Sequence, residues 1–598
     1  MGDAVRVRKT VLLATAALAA LAADAMAADL PNKAPVYKAP PPSAYNWIGF
    51  YVGGHVGGGL ATTEFTNPFG GSIFGDSVRS PGFLGGGQLG YNWQAPGSNW
   101  VLGLQGDISA LASDGDNTCF ASSAHTINST CRVRPELAST LTGRIGYAFG
   151  PSDRTLLYIK GGAAWADSTI DLATNNALAG FAGPPITASN TTASMWGWTV
   201  GGGAEYALSP AWSLFLAYDF LDFANASVGT LGSAVVNRAG SITAVVPPGT
   251  SSVSENIQEF KLGLNYRWGA DPTAGWDVLP VVPTAYPTKA PLAPAWAPGW
   301  EIEGGGRYFY SWGLFHKDIG PLQVSSVPGP TSVSRLTYND MQTNSGEFFA
   351  RIDSPWNLFV KGFVGGGGTD NGHMNDEDFG ILLVHNTVYA PYSNTLANNV
   401  TGNITYGVVD VGYDFWRAEN YKVGGFVGYA YFKQNMNAFG CTPIANVNCA
   451  PSVPTSGNPA ITESDTWEGL RLGVAGDVMV TDRVKLSGDV AYLPYLSFSG
   501  VDHHFFGNTG LVAEIFPESS NGGQGVQLEA VASYYFTPQF SMGVGGRYWG
   551  MWTTNGSLYR SFSSPRLDEI SPSPPAIFRG TFEQAGAFVQ LAYKFGGP

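Results

Sequence analysis

Phe260, Leu262, Leu264, Tyr266 and Trp268 occupy every second position of one short stretch, and Lys261, Gly263, Asn265 and Arg267 fill the gaps. Near the C-terminus, Val589, Leu591, Tyr593 and Phe595 alternate in the same way with Phe588, Gln590, Ala592 and Lys594. A period of two sends the two sets to opposite faces of a β-strand. Segments of this kind fall into two groups. The first group predicts eight strands, near 47–58, 82–94, 99–110, 137–149, 155–166, 195–207, 211–222 and 257–268. The second predicts ten, near 300–312, 335–352, 356–366, 402–416, 421–433, 466–480, 483–496, 524–537, 539–552 and 583–595.

Between the groups, residues 270–299 contain seven prolines, and "PNKAPVYKAPPP" at 31–42 precedes the first group. Such stretches are stiff and extended and cannot join a sheet ladder. The connections within each group differ by side. Those after even-numbered strands of the first group are tight ("APGS", "GPSDR", "LSPA"), and those after odd-numbered strands are long. The second group repeats this with "DSPW", "RAEN", "TDR" and "TPQ". An even strand count, short turns at one end and long loops at the other are the pattern of an outer-membrane barrel, whose closure satisfies every backbone group in lipid. The expected fold is all-β: two tandem transmembrane antiparallel barrels, of about eight and about ten strands, joined by a proline-rich linker. "GGGQLG" at 85–90 has the spacing of a dinucleotide fingerprint but lies inside a strand, which argues against that use.

Composition sharpens this reading. Only 13% of the 598 residues are charged, 13% are aromatic, and the net charge is −14. No basic stripe is visible, so nucleic acid is not an expected partner. Arg6, Arg8 and Lys9, the apolar run Val11–Ala23 and the small-x-small site Ala25-Met26-Ala27 predict a cleaved secretory signal; an uncleaved anchor is the alternative. The expected organisation is a signal peptide at 1–27, a proline-rich segment at 28–46, the first barrel at 47–268, a periplasmic linker at 269–299 and the second barrel at 300–598. Export to an oxidising compartment predicts two local disulfides, Cys119–Cys131 and Cys441–Cys449. Neither pair has zinc-type spacing, and no cofactor or metal is expected.

The first half resembles the OmpA-like small surface barrels of alphaproteobacteria, through "NWIGFYVGGHVGGG" at 46–59, "GGGQLGYNWQ" at 85–94, "LTGRIGYAF" at 141–149 and "GWTVGGGAEYALSPAWSLFLAYDFLDF" at 197–223. That resemblance implies an eight-stranded barrel with no catalytic residues, located in the cell outer membrane. Its partners would be outer-membrane lipid, lipopolysaccharide and the barrel-assembly machinery. The second half is similar to the omptins, outer-membrane endopeptidases of ten strands, through "VSRLTY" at 333–338, "NDEDF" at 375–379, "GVDHHFF" at 500–506 and "GVGGRYW" at 543–549. The omptin site pairs a D-x-D with a D-x-H across the barrel mouth, which implies Asp376 and Asp378 facing Asp502 and His504, and a peptide substrate.

The chemistry of that set is coherent. Neighbouring carboxylates resist ionising together, and a carboxylate beside an imidazole raises its basicity. A water held between the pairs could lose its proton to His504 and attack a peptide carbonyl. Two features depart from the omptin pattern. The acidic residues that receive a basic substrate side chain align with Pro328 and Gly500. In addition, strict alternation from a lumen-facing Lys485 would turn Asp502 and His504 outward, so a bulge between Pro494 and Gly500 is required. Arg351, Arg471, Asp477, Lys485, Asp489, Glu529 and Arg547 are expected to pair inside the second barrel and fill it. The expected function is therefore a structural, envelope or adhesion protein of the outer membrane. The alternative is an omptin-like aspartate/histidine endopeptidase; a porin ranks third because both barrels are narrow.

Overall fold

A computed structural model of the chain describes residues 44–122, 128–175, 188–236, 242–268, 299–322, 332–379, 392–418, 420–445, 457–505, 512–558, 561–562 and 576–595. The predicted signal peptide, nearly all of the proline-rich segment and nearly all of the linker lie outside these residues, as do Pro328 and Cys449.

The first half forms β1 (Gly49–Phe65), β2 (Ser77–Gln94), β3 (Trp100–Ser113), β4 (Ser129–Phe149), β5 (Thr155–Thr174), β6 (Ala188–Ala207), β7 (Trp212–Gly229) and β8 (Thr250–Arg267). Each strand pairs antiparallel with its neighbours in sequence, and β1 pairs with β8 from Tyr51↔Arg267 to Phe65↔Val253, which closes the ring. The second half forms β9 (Glu301–Leu322), β10 (Ser334–Asp353), β11 (Leu358–Phe379), β12 (Tyr392–Ala418), β13 (Tyr421–Phe439), β14 (Ile461–Met479), β15 (Val484–Phe505), β16 (Val512–Tyr535), β17 (Phe540–Leu558) and β18 (Ala576–Phe595). Here β9 pairs with both β10 and β18. Both expected strand sets are present. The difference is length: most strands run well past their expected outer ends. Asp376, Asp378, Asp502 and His504, expected in long loops, stand on strands instead.

Alternation explains which face is which. Outward residues such as Leu89, Leu104, Ile159, Val364, Val411 and Leu591 stay exposed, as lipid-facing residues must. Aromatic residues border this band near the tight turns, with Trp93, Trp100 and Trp212 on the first barrel and Trp300, Trp356 and Phe595 on the second. The inward faces are ionic. In the first barrel, Lys160 and Lys261 both reach Asp107 and Asp219, and Arg144 meets Glu205. In the second, Arg547 joins Glu347 and Glu529, Arg471 joins Asp410 and Asp489, Arg351 reaches Asp477 and Lys485 reaches Glu303. A charge in a closed barrel needs such partners, because leaving it alone there is costly. A cavity among the groups of the second barrel measures about 110 Å³.

The two barrels form one compact unit. Their outer walls pack through Leu214 and Leu262 on one side and Val478, Val490, Val526 and Leu528 on the other. Trp212 meets Trp416 at the level of the tight turns, with ring centroids 5.9 Å apart. Their lipid-facing bands therefore lie side by side.

Candidate functional site

Two local irregularities aim the candidate residues. On β15, Tyr492 pairs with Leu472 and Tyr495 with Leu470, so Leu493 and Pro494 together oppose Arg471. This is the bulge the alternation required. Proline suits it, because it has no N–H to give the ladder. Beyond it the parity reverses, and Phe498, Asp502 and His504 turn into the barrel. On β11 the register shifts between Thr369 and Gly372, around Asn371 at φ 62°. Thr369 is the last odd-numbered inward residue; Met374 and Asp376 follow on the even face. A matching shift on β10 accompanies Asp340 at φ 54°. Asn and Asp tolerate this left-handed conformation better than other side chains. The β11 and β10 irregularities were not expected. The Asn371-Gly372 pair was the signal for the first.

The site stands beyond the lipid-facing band. Val364 and Tyr495 are among the outermost exposed apolar residues of their strands, and Asp376 and Asp502 lie well past them. His504 Nε2 lies 3.0 Å from Asp502 Oδ2, and Asp502 is fully buried. Burial works against a charge on His504, but the carboxylates of Asp502 and Asp376 outweigh it and raise its pKa to about 9. Burial and then the neighbouring Asp378 push Asp376 up to about 7, against the opposing pull of His504. Asp502 also suffers from burial, yet His504 and Lys317 hold it down at about 2. Asp376 thus feels Asp378, His504 and Asp502, and His504 feels Asp502 and Asp376, which joins the four expected residues electrostatically. Asp376 Oδ1 is buried with no hydrogen-bond partner among the described residues and can accept one inside this cluster.

Sequence reasoning missed the floor of the cluster. Lys317 Nζ lies 3.0 Å from Asp502 and 2.6 Å from Glu518, and also pairs with Glu463. Asp465 lies beside them, joined to Gln434. The alternation Glu463, Asp465, Trp467 on one face carried a readable signal, because Trp467 is a core residue. Glu463, Asp502 and Glu518 have ligand-like spacing, with oxygens within 4.8 Å of one another. The Lys317 ammonium already sits among them and supplies the positive charge. At Gly500, a side chain would run into Asp465 Oδ1 at 2.6 Å.

The outer side of this wall faces the first barrel. Glu377 points away from Asp376 and Asp378 and accepts from Tyr392 Oη at 2.7 Å. Arg335 bonds Asp318 at 2.6 Å and reaches Thr118 and Thr130 of the first barrel. Arg579 bonds Asp116 at 3.2 Å. His316 lies between Asp318 and Asp116, which outweigh its burial and raise it to about 9. Asp116 and Thr118 stand on the short strand Gly115–Cys119, which pairs with β4 and is tied to it by the Cys119–Cys131 disulfide. Cys441 is disulfide-bonded too, but its expected partner Cys449 lies outside the described residues.

Comparison with known proteins agrees with this two-part architecture. Residues 13–267 match the outer membrane protein beta-barrel domain, and residues 336–560 match the Omptin family. The 31 kDa outer-membrane immunogenic proteins of Brucella melitensis biotype 1 and Brucella suis biovar 1 are each 30% identical over 269 residues, covering 44% of this chain and 100% of the relative. Among solved structures, the outer membrane protease OmpT of Escherichia coli aligns with 49% of this chain and 97% of its own, at 16% identity and a TM-score of 0.39. The chain is an outer-membrane β-barrel protein of Gram-negative type, belonging in its first half to the outer membrane protein beta-barrel family, with a second half that is similar to the Omptin family over residues 336–560.

Proposed function

We propose that this protein serves chiefly as a structural element of the cell surface, in envelope integrity or adhesion. The supporting observation is the filling of both barrels by ion pairs, with a cavity of about 110 Å³ among those of the second. Ion pairs that cross a narrow lumen oppose a solute path, and a porin remains the third reading. The division of labour follows the two barrels, 47–268 and 300–598, with insertion by the barrel-assembly machinery. The test is deletion of the gene followed by challenge with detergent and large antibiotics. Deleted cells become sensitive, and a His504→Ala chain restores resistance in full. Failure of His504→Ala to restore it would favour the second reading.

That second reading is peptide hydrolysis at the second barrel's mouth. The cluster of Asp376, Asp378, Asp502 and His504 favours it. In this reading Asp502 orients His504 and keeps its charge compensated. In the fraction of chains whose His504 is neutral, a water donating to Asp376 Oδ1 gives its other proton to the imidazole and its oxygen to the peptide carbonyl. The experiment is a peptide library incubated with refolded protein and with an Asp502→Asn, His504→Ala chain. Cleavage by the first and none by the second supports hydrolysis; no cleavage by either rejects it.

A further inference from the structure

Toward the extracellular end of their contact, the outer walls of the two barrels part. The cleft between them measures about 660 Å³, well within the range of a ligand site. Its first wall carries Leu216, Tyr218 and Phe260, and its second carries Trp312, Leu314 and Ala585. All six side chains stand on the outward parity of their strands, apart from the acid and histidine cluster; Lys261, Asp489, Glu529 and Arg547, whose ion pairs lie in the lumens, also border the cleft. The facing bands are level, as the Trp212–Trp416 contact shows. At this depth the surrounding medium is lipid chain rather than water, and an apolar space open to it fills with hydrocarbon.

One edge of the cleft is polar. Arg79, on β2, grips Glu583, on β18, through Nε at 2.9 Å and Nη2 at 2.8 Å. Tyr548 Oη donates to the same carboxylate at 3.1 Å. Glu583 is buried, but 43% of the Arg79 side chain remains exposed, and among the described residues those bonds use its Nε and Nη2. A guanidinium at the rim of an apolar slot is a phosphate recognition group beside a chain-binding surface. Arg79 lies beyond Tyr218 and Phe260 on the long-loop side, which places it near the extracellular leaflet.

We infer that the cleft holds one acyl chain of a phosphate-bearing lipid of the extracellular leaflet, with its phosphate against Arg79. The lipid is a wedge between the barrels, a site neither barrel has alone. The test is native mass spectrometry of the full chain, extracted from outer membranes in mild detergent. One lipid per chain is retained, and its fragments contain phosphate. Ala585→Trp and Leu216→Trp place an indole in the cleft from opposite walls and displace the lipid. Arg79→Gln lowers retention about tenfold, the loss of one charge-assisted hydrogen bond. Val364→Trp, on an exposed outer wall, retains the lipid as the parent does. Folded chains are separated first by their mobility in unheated gels. No retained lipid, detergent alone, a lipid without phosphate, or equal retention in either tryptophan variant overturns the site. If neither tryptophan variant folds, Arg79→Gln decides, and unchanged retention there overturns it.

Discussion

Among the described residues, Lys317 supplies the one ammonium paired with three buried carboxylates, Glu463, Asp502 and Glu518. Burial lowers its proton affinity, but those acids outweigh it, so it stays charged. Replacing it by methionine leaves the acids uncompensated. The expected loss is about 3–5 kcal/mol, the usual cost of removing one partner of a buried pair, read as a lower midpoint in urea unfolding. The same change takes a positive neighbour from His504, whose pKa should rise further. His504 itself titrates near 9 against about 6.5 for free imidazole. Its linkage is fixed in sign. A raised histidine pKa contributes stability that is full below about pH 6.5 and is lost as pH rises through 9. Asp502, depressed to about 2, contributes stability above its unfolded value near 3.9 that is lost as pH falls toward 2. An NMR titration of labelled histidine checks the first, and Asp376→Asn should lower the value it reads. A His504 at or below 6.5 would mean the carboxylates do not face it. Hydrolysis with His504 as base should climb with pH until about 9.

At the scale of the strand, the bulge at Leu493–Pro494 decides which way the site points. Deleting Pro494 restores strict alternation, and Asp502 and His504 turn outward. A His504→Cys reporter should react slowly with a bulky thiol reagent in the parent and quickly in the deletion chain; equal rates would show that the bulge does not set orientation. The short strand Gly115–Cys119 gives a second test. Its disulfide closes a loop with a sequence separation of 12, worth roughly 3 kcal/mol in the chain-entropy model. Replacing both cysteines by serine should lower the unfolding midpoint accordingly. Much of this level was legible. The period-two pattern at 260–268 and 585–595 marked strands, and turn length gave the count and direction. The Asp502 parity conflict even demanded a bulge. Strand ends were not legible, because the outer extensions carry serine, asparagine and aspartate, the residues loops also use. The Lys317 floor was hidden for a related reason: its partners come from β14, β15 and β16, and only closure of the ring brings them together.

The whole molecule adds a joint that neither half predicts alone. Arg335, Arg579 and His316 of the second barrel reach Thr118, Thr130 and Asp116 of the first, and Arg79 reaches back to Glu583. Below them, Leu214 and Leu262 pack on Val478 and Leu528. The polar contacts stand mainly beyond the lipid-facing band, and the apolar ones lie within it, where lipid competes for the same surface. Packing between two lipid-facing walls gains little from the hydrophobic effect, because the chains it displaces are equally apolar. The ionic joint should therefore hold the barrels together. This can be tested by inserting a specific protease site in the linker at 270–299 and cutting after extraction in mild detergent. The two halves should still migrate as one particle. Asp116→Ala with Arg79→Ala should let them separate after the same cut, because Arg579 and Glu583 then lose their partners across the joint. Separation of the parent halves on cutting would show that only the covalent linker joins them. Persistence of the doubly substituted pair would shift the credit to the apolar walls and to whatever fills the cleft between them.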